Sequence, residues 1–109
     1  AYKVLNSSTT FGNASFTNDN EFQYLVADSV GTGTSESANG IIYLYNFNSS
    51  SEYSFVTTEV TEVNSSTTSR GNQGGGVHTV ASASDGLYFF DTAGGNIASG
   101  TFTLYGLAK

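Results

Sequence analysis

Apolar and polar residues alternate with a period of two in short runs, and clusters of glycine, serine, asparagine and aspartate separate them. A period of two places successive side chains on opposite faces of a strand, so each run predicts a β-strand. Phe22–Ala27 sets Phe22, Tyr24 and Val26 on one face and Gln23, Leu25 and Ala27 on the other. Thr101–Tyr105 does the same, with Phe102 and Leu104 opposed to Thr101, Thr103 and Tyr105. Ile41–Phe47 is apolar on both faces, which predicts a central strand covered on each side. Tyr53–Val63 is longer and rich in β-branched residues, and Glu52, Glu59 and Glu62 mark it as partly solvated. Tyr2–Leu5, Phe11–Thr17, Val77–Ala81 and Leu87–Phe90 complete the expected strands. No window carries a sustained i, i+3, i+4 apolar stripe, so helices are expected to be minor.

Two connectors stand out by length, Ser29–Gly40 and Asn64–Gly76, and loops of that size tend to carry contacts. The tract Asn6-Ser-Ser-Thr-Thr10 recurs at Asn64–Thr68, but the flanks differ, so it reflects composition and not an internal repeat. In the terminal segment, glycines at 94, 95, 100 and 106 bracket the last alternating run. A terminus this rich in strand formers is expected to be paired on at least one side. Regular strands and turns of this kind predict an all-β fold, an antiparallel β-sandwich of jelly-roll type, over residues 1–109 as one domain.

Composition narrows the function more than the fold. With 109 residues and no cysteine, the chain has neither disulfides nor thiol chemistry to reinforce a small core. Charged residues are only 11%, so surface polarity must come from hydroxyls and amides, while 14% aromatic residues argue for a packed fold. The net charge is −6, and Lys3, Arg70 and Lys109 are the only cations. That leaves no basic footprint for nucleic acid and disfavours anionic membrane surfaces. No apolar run approaches the ~20 residues that a membrane-spanning helix needs.

Catalytic constellations are weak. His78 is the only histidine, and a Ser-His-Asp set drawn from His78, Asp85 and any of many serines has almost no specificity. Glu59 and Glu62 lie three apart and so face opposite sides of one strand, and Glu52 and Glu59 also differ in parity. These acids read as solvated edge residues. Asn18–Glu21 is dense in oxygen ligands but lacks the spacing and glycine of a calcium loop, and without a Cys/His cluster zinc has no site. Arg70–Gly76 is rich in glycine but has no Gly-Lys-Ser/Thr leading into a helix, so it is not a phosphate cradle. The sequons at Asn6, Asn13, Asn48 and Asn64 matter only in a secreted eukaryotic protein. No catalytic residue, metal or cofactor is expected.

Tyrosines are the more promising feature. Tyr43 and Tyr45 share a face with Ile41 and Phe47, whereas Tyr88 and Tyr105 oppose the apolar residues of their own runs. A ring with a polar tip suits subunit contacts and sugar stacking alike, and the small core favours the subunit contact. Arg70, Asn72, Gln73 and His78 join these tyrosines as candidate receptor or subunit contacts.

Four motifs together resemble a known family. Gly40-Ile-Ile-Tyr-Leu-Tyr-Asn46, Gly74-Gly-Gly76, Gly86-Leu-Tyr-Phe-Phe90 and Asn96-Ile-Ala-Ser-Gly-Thr-Phe-Thr-Leu-Tyr-Gly106 are similar to virion structural proteins of tailed bacteriophages, especially those of marine bacteria and cyanobacteria. The likeness covers roughly residues 38–109 and is most specific over Asn96–Gly106. It implies a tail-fibre or capsid-attached appendage, a homotrimer, other virion proteins as partners and a host surface polysaccharide as a target. It further implies a place on the virion, an extracellular one after lysis, and that these residues are the C-terminal part of a longer protein or a short member. On a threefold axis, His78 would form a ring.

Overall fold

A computed structural model describes residues 2–6, 11–14, 25–26 and 30–108, which contain five strands and no helix. The strands are β1 (Tyr2–Asn6), β2 (Phe11–Ala14), β3 (Ala38–Tyr45), β4 (Ser54–Val63) and β5 (Ser69–His78). They form one antiparallel sheet in the order β2-β1-β5-β4-β3. The chain is therefore all-β, as its alternation predicts. β3, β4 and β5 run as a meander, and β5 then pairs with β1 from Tyr2↔Gly74 to Asn6↔Arg70. The expected strand Phe22–Ala27 falls mostly outside the described residues, and Leu25 and Val26 within it form a bend. The candidate calcium tract at 18–21 also lies outside them.

The strand at the centre of the sheet is not the one its hydropathy suggests. Ile41–Phe47 reads as central, yet β3 is the last strand of the sheet. It also starts earlier, at Ala38, and stops at Tyr45, because Asn46 adopts a left-handed conformation with φ 55° that ends the pleat. The centre belongs to β5, Ser-Arg-Gly-Asn-Gln-Gly-Gly-Gly-Val-His, most of which reads as loop because glycine is poor in strands. Pairing on both sides outweighs that weakness: β4 holds β5 along its whole length and β1 holds residues 70–74.

The turn between β4 and β5 accordingly shrinks to 64–68. Asn64 is buried, and its side-chain Oδ1 accepts the amides of Ser66 and Thr68 at 3.0 and 2.9 Å. Its carbonyl accepts Thr67 N–H at 2.9 Å, and its own N–H donates to Thr68 O at 3.0 Å. Asparagine suits this work because its short amide mimics a backbone turn. Thr67 sits at φ 59°, where a β-branched residue is strained.

The two faces of the sheet differ. On β4 the even positions Ser54, Thr58, Val60 and Glu62 are buried, while Phe55, Thr57, Glu59 and Thr61 are exposed. Among the described residues Val60, at 8% exposure, is the only buried hydrophobic side chain. The inner face around it is mixed: Ile42, Leu44 and Val56 are half-buried there, while Asn72 lies opposite Val60 and Arg70 opposite Glu62 on β5. Asn72 Nδ2 donates to Glu62 Oε2 and to Leu25 O, both at 3.4 Å, which ties the chain near residue 25 onto β5. Glu62 is thus an inward acid on the face opposite Glu59, as their spacing requires, and not the solvated edge residue expected of it. Burial of a carboxylate is tolerated only beside such polar partners.

Gly40 marks the closest approach between strands on this face. A Cβ there would lie 2.5 Å from Glu59 O and 2.7 Å from Val60 Cγ2, so only glycine fits.

Candidate functional site

The outer face carries the apolar residues that a core would normally take. Register places Tyr45, Phe55 and Val77 in one row across β3, β4 and β5, all exposed. Tyr43, Thr57 and Gly75 form the next row, and Ile41, Glu59 and Gln73 the third. In the third row Gln73 Nε2 donates to Glu59 Oε1 at 3.3 Å, so the single acid is already engaged by a neutral amide. The result is a weakly charged patch of rings and aliphatics. Neighbouring side chains on one face of an antiparallel sheet lie close enough to act as one surface.

Beyond β5 the chain changes character. Residues 79–108 contain no strand, although Val77–Ala81, Leu87–Phe90 and Thr101–Tyr105 read as strands; only Val77 and His78 of these belong to one, as the end of β5. Every residue from 91 to 108 is exposed. Leu104, Tyr105 and Leu107 are 85%, 80% and 87% exposed. No described strand pairs with these runs, and alternation alone cannot hold an isolated strand. One long-range bond anchors the start of this segment, Ser84 N–H to Phe47 O at 2.9 Å, and the order beyond it is set by a turn. Asp91 Oδ1 accepts Ala93 N–H at 2.8 Å, Asp91 O accepts Gly94 N–H at 3.1 Å, and Gly94 takes φ 83°. That turn folds the arm back so that Phe89 stacks on Phe102 at 4.6 Å between centroids. Tyr88 stacks on Phe90 at 5.2 Å.

The candidate contacts divide into three groups. Tyr43 and Tyr45 lie on the outer face, and Tyr88 and Tyr105 lie on the arm, all exposed. Gln73 is exposed at the third row, and His78 is exposed at the end of β5, opposite Ser54. Arg70 is half-buried and Asn72 is buried, so these two serve the inner face and not an outer surface. The structure does not bring the eight residues into one pocket. Of the expected connector Ser29–Gly40, residues 31–37 are loop, closed by Glu36, whose N–H donates to Gly33 O at 3.0 Å and whose Oε2 accepts Gly33 N–H at 2.8 Å, and 38–40 already belong to β3. Sequence reasoning missed the part of Asn64 and Asn72, although an asparagine between two β-branched runs is a recognisable turn signal.

Chemically, this surface is suited to binding by stacking and by hydroxyl and amide hydrogen bonds. Among the described residues no group of three His, Cys, Asp or Glu side chains is placed to hold a metal ion, and no helix is long and apolar enough to cross a membrane. No protein-family model, curated protein or solved structure matches the chain.

Proposed function

We propose that the chain is a non-enzymatic virion structural protein of a tailed bacteriophage, forming the tip of a tail fibre or appendage that binds the host cell surface. The observation that carries this reading is the exposed row Tyr45–Phe55–Val77 with Tyr43 beside it, an aromatic surface almost without charge. Sugars stack on such rings, and the surrounding Ser, Thr and Asn side chains supply adaptable hydrogen bonds. The bacteriophage assignment itself rests on the sequence resemblance over residues 38–109. In this reading the sheet is one half of a jelly-roll sandwich and the protein acts as a homotrimer, with Tyr43, Tyr45, Gln73 and His78 at subunit or receptor contacts. Arg70 and Asn72 support β5 from the inner face.

The unpaired arm favours a second reading, a capsid decoration or fibre-adaptor protein whose surfaces meet other virion chains. The experiment is direct. Purified protein is tested for binding to host cells and their isolated polysaccharide, and for blocking infection. Saturable binding that Tyr45→Ala and Phe55→Ala weaken supports the tip reading. No binding, together with antibody labelling on the capsid shell, selects the decoration role.

A further inference from the structure

We infer that residues 101–105 of one copy add as a new strand to the free edge of β3 in a second copy of this chain. The inference deepens the assembly part of the reading above and rests on it, but not on what the assembled protein binds.

Two complementary surfaces carry it. β3 ends the sheet, and a terminal strand presents a row of backbone N–H and C=O groups to whatever arrives. Proteins usually protect such an edge with charge, proline or a bulge. Ala38-Asn-Gly-Ile-Ile-Tyr-Leu-Tyr45 has no charge and no proline, and it pairs with β4 without a bulge over eight residues. Among the described residues no strand pairs with its outer side. The incoming strand has the matching defect, since Thr101-Phe-Thr-Leu-Tyr105 has high strand propensity and no hydrogen-bonding partner strand among the described residues. Its neighbourhood is also neutral, with no charged residue from 92 to 108. A net charge of −6 per copy therefore opposes association little at this contact, because neither surface contributes to it.

The arm is also partly organised in advance, because the Asp91 turn and the Phe89–Phe102 stack hold the 101–105 run against the 87–90 run. Preorganisation lowers the ordering cost of docking. Main-chain bonds to β3 then supply affinity, and the alternation of Phe102 and Leu104 supplies the register. The contact is head-to-tail, so copies either close into a ring or continue as a fibre.

The absence of cysteine makes the test clean. Tyr43→Cys is placed on one preparation of the full chain and Thr103→Cys on another, and the two are mixed under mild oxidation. Cross-linked heterodimer well above either homodimer is expected, with a concentration-dependent mass for the unmodified chain in sedimentation. Leu104→Asp, which touches nothing that the monomer needs, is expected to weaken self-association at least ~10-fold, while circular dichroism stays unchanged. A monomer at all concentrations overturns the inference. So does a Tyr43→Cys/Thr103→Cys double variant that closes only within its own chain. A stable oligomer that Leu104→Asp leaves intact overturns it too. Failure to bind host cells, by contrast, bears only on the tip reading.

Discussion

Residues 38–78 and residues 79–108 are built from the same kinds of amino acid but end in different states. In the first region, three strands exchange backbone hydrogen bonds along their lengths, and even a strand with four glycines is held at the centre. In the second, better strand formers such as Thr101–Tyr105 stand open to solvent. Strand propensity is therefore not what separates them. What separates them is pairing: β5 has a strand on each side, whereas no strand of the described sheet pairs with the arm. Propensity describes a fit to a pleated surface and cannot supply the neighbour that makes one.

The sharpest way to break this contrast is to damage each region where it is tightest. Gly40→Val places branched carbon against Glu59 O and Val60, and the clash with backbone should cost about 3 kcal/mol. Urea denaturation reads this as a lower midpoint. An unchanged midpoint would mean that β3 does not sit against β4 as described. Next comes Asn64→Ala, which leaves the amides of Ser66 and Thr68 without their acceptor and should cost about 2 kcal/mol by the same assay. Asn72→Ala removes the amide that joins Glu62 to Leu25, and a loss of about 1–2 kcal/mol is expected. At the small end, Leu104→Asp should change the stability of the monomer by less than about 0.5 kcal/mol, since its side chain is 85% exposed. Thr67→Asn should gain about 0.5 kcal/mol, because asparagine tolerates the φ of 59° better than threonine. A destabilised Thr67→Asn protein would show that the strain is offset elsewhere in the turn.

These effects also explain which parts of the molecule could be read from its residues. Tyr53–Val63 announces β4 nearly to the residue, because its β-branched run is long enough to dominate. Tyr2–Leu5 and the start of Phe11–Thr17 likewise match β1 and β2. β5 was hidden because glycine signals a loop locally, and its strand state comes from neighbours 10 or more residues away. The central position expected for Ile41–Phe47 followed from apolar residues on both faces, yet one of those faces is bare. The same error underlies the arm: the alternation of Phe102 and Leu104 is real, but a pattern states only that burial would be favourable, not that a surface exists to provide it. For the candidate contacts, Tyr43, Tyr45, Tyr88 and Tyr105 are exposed, but so are Phe102 and Leu104, so parity does not separate the tyrosines from their apolar neighbours. Asn72 and Glu62 could not be placed in advance, since parity alone does not say which face of a two-faced sheet turns inward.

The exposed rings also change how the fold should be understood energetically. Burying one Phe, Leu or comparable side chain contributes roughly 1.5–3 kcal/mol. This chain leaves Tyr45, Phe55, Val77 and most of its arm outside that gain, while spending its inner face on Ser54, Thr58, Glu62 and Asn72. Exposed apolar surface of this kind is stabilised by whatever comes to cover it.

Hydrogen exchange of backbone amides at two protein concentrations tests the difference between the regions most directly. At a concentration where sedimentation gives a monomer, slow exchange is predicted across 54–63 and 69–78, with fast exchange throughout 87–108. Raising the concentration should then slow exchange at 101–105 and along β3, and nowhere else to a comparable degree. Protection at 101–105 equal to that of β4 in the dilute monomer would contradict the account, for it would place the missing partner inside the single chain.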